Sequence, residues 1–247
     1  MDSKIGVEIE CEGVEEAKRH LMWRVDHEPM LKGGVEYVLK KPLQGVALSA
    51  SVYELTSLMK EEVFTQRCST HIHVNVNDMN RVQKMNFITL YIMFERVLLS
   101  LVEESRVGNV FCLPVFDSNS VENVLCSIAE KEVGLEDLGL EHWKYSAINL
   151  ASIGRLGSLE FRALHGTKDP VEIMNWVNLH LRMKAYAGGL GVTPETLVMD
   201  SSTKGFVGLF KEVFGDLAEQ FEHLNLEEMI LDGMHTVQYY AFTGDWT

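Results

Sequence analysis

The chain has 247 residues, of which 46% are hydrophobic, and its formal net charge is −14. This apolar content supplies a core for one large domain or two small ones and excludes a mainly disordered chain. The acidic balance argues against broad affinity for nucleic acid or anionic membranes, because such binding uses clustered lysine and arginine. The four cysteines show no C-x-x-C spacing and no signal segment opens the chain, so a reduced, cytoplasmic protein is predicted.

The first predicted strand covers residues 5–10 and places Glu8 and Glu10 on one face, with three aliphatic residues on the other. Paired carboxylates are natural ligands for hard cations. A half-exposed strand face is the alternative interpretation of this pair. Residues 14–20 are predicted to form a short helix or loop, and a second strand follows the Gly33-Gly34 pair over residues 35–39.

A helix predicted over residues 48–64 precedes the most informative segment of the chain. Residues 68–76 read Cys-Ser-Thr-His-Ile-His-Val-Asn-Val, and this strict alternation puts His71 and His73 on one strand face. Two histidines that face the same way suggest a metal or phosphate site. One metal ligand with a neighbour that is structural or touches substrate is the alternative.

A long helix, capped by Asp78, is predicted to run to about residue 104. Glu95 and Arg96 interrupt its apolar run, so the pattern indicates a buried helix rather than a membrane span. Glu95 is interpreted as a partner in a structural ion pair. Residues 106–116 are predicted to be irregular or a short hairpin, and residues 119–133 to be helical.

Two further strands are predicted over residues 143–151 and 157–164, joined by a turn at residues 153–156. Glu160 and Arg162 share one face of the second strand, although a solvated charge pattern would also explain them. Asp169-Pro170 opens a helix through about residue 187. The extension from 188 to 247 is predicted to be helical, with breaks at three glycines: Gly205, Gly215 and Gly233. Residues predicted to be buried are Cys112, Trp143, Tyr145 and Trp176.

Strands and helices do not alternate regularly, which favours an α+β fold with an antiparallel sheet, helices on one face and a polar cleft on the other. No repeat or linker divides the chain, so residues 1–247 are predicted to form one domain. Each strand taken singly could simply be half exposed. The six polar face positions include no lysine or threonine, however, and together they indicate a site: Glu8, Glu10, His71, His73, Glu160 and Arg162.

Six motifs follow one another within residues 5–180, and their order and spacing are more specific than any one of them. They are Gly6-Val7-Glu8-Ile9-Glu10, Gly34-Val35-Glu36 with Pro42, Thr70-His71-Ile72-His73-Val74, Arg106 with Phe111-Cys112-Leu113-Pro114, residues 145–150, and Leu159-Glu160-Phe161-Arg162 with Gly166-Thr167. This set resembles the amidoligase family, carboxylate-amine ligases related to glutamine synthetase and glutamate-cysteine ligase.

The resemblance implies an antiparallel sheet curved into a half-funnel that holds ATP and two or more Mg²⁺ or Mn²⁺ ions. Such enzymes phosphorylate a carboxylate and let an amine displace the phosphate, so small-molecule or peptide acids and amines are the implied substrates. The implied metal ligands are Glu8, Glu10, Glu36, His71 and Glu160. His73 and Glu160 are implied to take part in catalysis beside Arg162, which would neutralise the transferring phosphoryl group. Further candidates for contacting nucleotide or substrate are Arg96, Arg106 and Asn149.

The chain departs from the family at Asp26-His27-Glu28-Pro29, where an Asp-Gly-Ser-like turn is usual. It is also short for the group, which would suit a minimal ligase from a virus or mobile element, or a pocket completed by a partner or a second subunit. A metal-dependent hydrolase built on His71 and His73 is an alternative enzyme class. A non-catalytic binding module is the third reading. Arg162 favours phosphoryl transfer, but no motif names the acid or the amine.

Overall fold

The computed structural model describes residues 3–14, 20–115, 119–139, 143 and 145–246, with only the backbone for residues 119–122. Most of the predicted helix or loop at residues 14–20 lies outside this part of the chain. Single positions of the predicted segments 106–116 and 143–151 also lie outside it.

Six strands form one sheet in which every neighbouring pair is antiparallel. The strands are β1 (Ile5–Cys11), β2 (Trp23–Glu28), β3 (Gly34–Leu39), β4 (Thr70–Asn75), β5 (Ile148–Asn149) and β6 (Ser158–Phe161). Their spatial order is β2-β3-β1-β4-β6-β5. The sheet is open and curled, which confirms the predicted α+β class.

Eight α-helices lie in the described part of the chain. They are α1 (Gly45–Leu58), α2 (Arg81–Leu99), α3 (Asn119–Ala129), α4 (Ser152–Leu156), α5 (Pro170–Ala187), α6 (Pro194–Lys204), α7 (Phe206–Phe214) and α8 (Leu226–Thr243). Short 3-10 helices cover Glu104–Arg106, Leu135–Asp137 and Gly215–Phe221. None of the described helices is long and apolar enough to cross a membrane.

The apolar face of the sheet packs against α2. The strand residues on this face are fully buried, as their alternation predicts: Ile5, Val7, Ile9, Ile72, Val74, Leu159 and Phe161. From α2, the rings of Phe87 and Tyr91 lie 5.4 and 5.1 Å from the ring of Phe161. The helices thus cover one face of the sheet, and its other face is left for polar side chains.

Helix α2 is buried on nearly all sides because α8 covers the surface that faces away from the sheet. Gly233 makes this close contact possible. A Cβ atom at this position would lie 2.4 Å from the carbonyl oxygen of Ile92. The predicted helix break at Gly233 is therefore wrong, since the glycine lies inside α8 and serves close packing. Gly205 and Gly215 do separate helices, as predicted.

The two charged residues of α2 occupy different environments. The Glu95 side chain is completely buried and accepts a hydrogen bond of 2.8 Å from the backbone N–H of Val115. Arg96 points toward α8, where its guanidinium pairs with Asp232. The buried helix that the sequence predicts is confirmed, and its charges have partners in loops and in the outer helix.

The ends of α2 and α5 follow from their capping residues. Asn80 and Gln83 form a reciprocal capping box at the start of α2, so the predicted cap at Asp78 is wrong, and the helix ends at Leu99 instead of near residue 104. Asp78 instead binds the buried Lys184 of α5 at 2.7 Å. Helix α5 matches its prediction, with Asp169 as cap.

Other boundaries differ because tertiary contacts replace the local pattern. Helix α1 ends at Leu58 rather than near residue 64, and β2 was not predicted. The predicted turn at residues 153–156 is helix α4, which ends at Gly157 in the left-handed conformation, and β5 has only two residues. Cys112, Trp143 and Trp176 are buried as predicted, whereas Tyr145 is 42% exposed, so its assignment to the core is wrong.

Candidate active site

The strand register brings the predicted polar residues together on the uncovered face of the sheet. Glu8 lies directly opposite His71, and Glu10 lies opposite Glu36. Opposed residues of antiparallel strands project to the same face. His73 likewise lies opposite Glu160. We call the resulting group the polar cluster: Glu8, Glu10, Glu36, His71, His73, Glu160 and Arg162.

Glu8 lies at the centre of the cluster because β1 runs between β3 and β4. Its Oε2 is 3.2 Å from Nδ1 of His71, and its Oε1 is 3.3 Å from Nε2 of His73. Burial alone would raise the pKa of Glu8, but hydrogen bonds and charges of the two imidazoles outweigh burial and hold the pKa far below its usual range. The pKa of His73 is raised, since the attraction of Glu8 and Glu160 outweighs the opposing effect of burial.

Glu160 is held in place by three side chains around its two oxygens. Oε2 accepts hydrogen bonds from Asn149 Nδ2 at 2.7 Å and from Ser152 Oγ at 2.9 Å. Oε1 accepts one from Arg162 Nη1. Burial would raise the pKa of Glu160, but the charges of His71 and Arg162 lower it on balance. Asn149, predicted as a ligand contact, thus positions a carboxylate of the cluster.

The remaining carboxylates, Glu10 and Glu36, lie side by side on β1 and β3. Glu10 Oε2 accepts hydrogen bonds from the backbone N–H and the hydroxyl of Ser69, at 2.9 and 2.5 Å. The sequence did not single out Ser69, although it precedes His71 by two positions and therefore shares its strand face. Burial, together with the negative charges of Glu8 and Glu10, raises the pKa of Glu36 to about 9.

Two groups of donor atoms in the cluster are compact enough to hold metal ions. One contains Glu8, Glu36 and His71, the other contains Glu8, His73 and Glu160, and the atoms of each lie within 4.8 Å of one another. Carboxylate oxygens with an imidazole nitrogen suit Mg²⁺ and Mn²⁺. His73 Nε2 is buried, and its nearest charged neighbour is the carboxylate of Glu8 at 3.3 Å, which belongs to the same donor set. The residues present therefore fit two neighbouring cations that share Glu8.

Two pockets adjoin the cluster, and each takes different residues from it. The large pocket, of about 920 Å³, is lined by Glu8 and His73 and by three cationic side chains, those of Lys4, Arg24 and Lys41. The small pocket, of about 330 Å³, reaches the cluster at Glu10, Ser69 and Arg162. Its other lining residues are Glu28, Pro29, Met30, Leu31, Arg67, Phe111 and Tyr145. A ligand in one pocket can thus meet a ligand in the other at the polar cluster.

Two predicted ligand contacts do not join the pockets. Arg96 pairs with Asp232 of α8, on the helical side of the sheet. Arg106 is buried, and its guanidinium donates hydrogen bonds to the backbone carbonyls of Arg162 at 2.8 Å and Ala163 at 3.4 Å. Arg106 therefore fixes the backbone that carries Arg162. The unusual segment from Asp26 forms the end of β2 and leads into the small pocket.

The cationic residues of the large pocket were not predicted. Lys4 directly precedes β1, whereas Arg24 lies in β2, a strand that was not predicted, so the local pattern did not show that the two side chains line one pocket. Arg24 binds Asp26 on its own strand at 2.6 Å. Lys4 and Lys41 make no side-chain hydrogen bond or ion pair with the described residues.

The fold and the cluster define a protein whose open antiparallel sheet gathers carboxylates, imidazoles and an arginine on one polar face. A family model described as "Putative amidoligase enzyme" matches residues 49–184, more than half of the chain, and the chain belongs to this family. The match indicates a ligase-type enzyme. It includes β4 and β6 and therefore both histidines, Glu160 and Arg162, whereas β1 and β3 precede it. No curated protein matches the chain.

Proposed function

We propose that the protein is an ATP-dependent carboxylate-amine ligase that forms an amide through an acyl phosphate, releasing ADP and phosphate. The observation that carries this proposal is the pair of cation-compatible donor sets that share Glu8, with Arg162 beside them and one pocket at each end. A reaction between two substrates and a nucleotide needs this kind of arrangement. Both pockets must reach the atoms that react.

The metal ligands follow from the two donor sets. Glu8, Glu36 and His71 would hold one divalent cation, and Glu8, His73 and Glu160 would hold a second. When bound, these cations neutralise negative charge on the phosphates. Glu10 belongs to neither set, and its hydrogen bonds to Ser69 and its position in the small pocket support a role toward substrate instead.

The large pocket is the better candidate for the nucleotide. It offers three cationic side chains, those of Lys4, Arg24 and Lys41, against the two carboxylates of Glu8 and Asp78, in a protein whose net charge is −14. Phosphates are bound by such cations. At about 920 Å³ it also has much more room than the small pocket. The triphosphate would then point toward Glu8 and His73.

The proposed reaction has two steps. An oxygen of the substrate carboxylate attacks the γ-phosphorus, the bond from that phosphorus to the oxygen of ADP breaks, and an acyl phosphate forms. The amine nitrogen then attacks the acyl carbon, the carbon–oxygen bond to phosphate breaks, and the nitrogen gives up one proton to solvent. Arg162 would stabilise the negative charge of the transferring group. Its backbone is anchored by Arg106 and its guanidinium by Glu160.

The hydrolase alternative receives less support from the same geometry. A zinc hydrolase built on His71 and His73 would need both imidazoles on one ion. The two rings instead fall into different donor sets and contact opposite oxygens of Glu8. The position of Arg162 at the small pocket also suits an anionic substrate.

Release of ADP and phosphate from ATP, measured with Mg²⁺ or Mn²⁺ and pooled amino acids and amines, tests the proposal. Glu160→Gln removes one negative charge and retains an acceptor for Asn149 and Ser152, so we expect a loss of about 100-fold or more in turnover in a protein that still unfolds cooperatively. The matched control is Glu54→Gln, on the exposed face of α1. Wild-type protein that does not bind ATP with either metal would refute the proposal.

A further inference from the structure

The inner end of the small pocket presents a cation, Arg162, and an anion, Glu10, on either side of β4. Arg162 Nη1 donates a hydrogen bond to Glu160, while Arg162 Nε is buried without a hydrogen-bond partner among the described residues. Glu10 has its Oε2 on Ser69, and its Oε1 is 3.8 Å from His71 Nε2. The guanidinium of Arg162 can bind a carboxylate, and the carboxylate of Glu10 can bind an ammonium group. An α-amino acid carries both of these groups on one carbon atom.

The walls of the small pocket are mainly apolar. Their side chains come from the turn between β2 and β3 and from the segments around residues 111 and 145: Pro29, Met30, Leu31, Phe111 and Tyr145. The rings of Phe111 and Tyr145 lie 6.1 Å apart. The 42% exposure of Tyr145, which sequence reasoning placed in the core, is explained if a ligand covers the ring.

Hydrogen bonds between backbone and side chains hold these walls in position. Arg67 Nη2 donates to the carbonyl of Met30 at 2.6 Å, which joins the turn to the segment before β4. Asn109 Nδ2 donates to the carbonyl of Gln66 at 3.2 Å, which joins the segment around residue 111 to the segment before β4. The pocket is thus largely formed before a ligand binds, and its apolar lining follows directly after the charged end.

The volume of about 330 Å³ limits the ligand. It lies at the lower end of the roughly 300–1,000 Å³ that small-molecule sites occupy. A free amino acid fits this volume. An acidic side chain would place a second carboxylate against Met30 and Phe111, where it loses hydration. Arg67 in the same lining already donates to the carbonyl of Met30, and Glu28 would repel a further negative charge.

We propose that the small pocket binds an α-amino acid with an aliphatic or aromatic side chain, and that its α-carboxylate is the group activated. The carboxylate lies at Arg162, the ammonium group at Glu10, and the side chain along Met30, Phe111 and Tyr145. This inference rests on the proposed ligase function and specifies its acid substrate. The product is an amide at the α-carboxylate, formed with a primary amine, and ADP, phosphate and one proton are released.

Trapping with hydroxylamine tests the substrate class without knowledge of the natural amine. Hydroxylamine attacks the acyl phosphate and gives an amino acid hydroxamate, which is measured by mass spectrometry in the presence of ATP and Mg²⁺. We expect L-phenylalanine, L-leucine and L-methionine to give at least about tenfold more product than L-glutamate and L-aspartate. Preference for the acidic amino acids, or for acids that lack an amino group, would overturn the inference while the ligase function stands.

A direct binding measurement tests the amino acid site independently of the ligase reaction. Calorimetric titration of the wild-type protein with L-phenylalanine, without nucleotide or metal, should detect binding. Met30→Trp fills the apolar part of the pocket and should weaken this binding at least about tenfold, with a smaller effect on L-alanine. The matched control is Met199→Trp on α6, because Met30 and Met199 are both 53% exposed.

Three results of these experiments would overturn the inference: no binding of L-phenylalanine to the wild-type protein, equal binding by wild type and Met30→Trp, or equal weakening by Met199→Trp. Failure of the ligase function itself is recognised separately. In that case no acid yields hydroxamate and ATP does not bind, whatever the result with L-phenylalanine.

Discussion

His180 should make the protein less stable in mild acid. This residue of α5 is completely buried, and burial lowers its pKa to about 3 despite a hydrogen bond of 2.7 Å between Nδ1 and the carbonyl of Trp176. Its ring packs 3.9 Å from that of Phe161. Tyr91 also stacks near it, and burial raises the pKa of that phenol well above its usual range, so Tyr91 stays neutral.

The sign and size of the effect follow from proton linkage. Between pH 6.5 and about pH 3 the unfolded chain protonates His180 and the folded chain does not, so stability falls as the pH falls. A pH of 5.0 is about 1.5 units below the ordinary pKa of the imidazole in the unfolded chain. Each unit corresponds to about 1.4 kcal/mol in the free energy of unfolding. The expected loss from this one residue between pH 7.5 and pH 5.0 is therefore about 2 kcal/mol.

Urea unfolding of wild-type protein and of the His180→Leu variant, at pH 7.5 and 5.0 with constant ionic strength, measures this loss. The variant should be less stable at pH 7.5, yet its stability should decrease by about 2 kcal/mol less on acidification. His223→Leu, at an exposed histidine of the segment before α8, is the control and should follow the wild type. Equal pH dependence of wild type and His180→Leu would refute the reasoning.

Three further predictions concern packing, capping and the site. Gly233→Ala places a Cβ 2.4 Å from the Ile92 carbonyl, so urea unfolding should show a loss of about 2 kcal/mol or more, whereas Gly208→Ala in α7, where the nearest atom is 3.4 Å away, should change stability by no more than about 1 kcal/mol. Asn80→Ala removes the cap of α2 and should cost about 1 kcal/mol, measured in the same way. Arg162→Lys keeps the charge but loses the planar fork, so turnover in the ADP-release assay should fall about 100-fold without a change in melting temperature; unaltered turnover would contradict its assigned role.

The sequence predicted the core elements well where the pattern is local and strong. The alternation around Glu8 and around His71 determined which side chains share a face, and Asp169-Pro170 marked the start of α5 correctly. The prediction from sequence was wrong where a contact with a distant segment decides the conformation of a residue. Gly233 looks like a helix break in the sequence, but it lies inside α8 because the backbone of α2 passes so close to it.

In the candidate site, too, local patterns did not reveal roles that depend on tertiary contacts. Helix periodicity does not reveal which layer a helix face meets, and Arg96, which was predicted as a ligand contact, pairs with Asp232 of α8. Arg106 came from a motif and proved to support the backbone of Arg162 rather than line a pocket. Ser69 was missed because a serine two positions before a histidine has many ordinary roles.

The sequence by itself determined the α+β class, the polar strand faces and their residue types, because the direction of a side chain on a strand depends only on the local two-residue period. Tertiary structure alone decided which strands are neighbours and in which register, because this depends on how their apolar faces pack on α2. Only that packing places β1 between β3 and β4. Glu8 can therefore belong to both donor sets, and the two pockets can meet at one cluster.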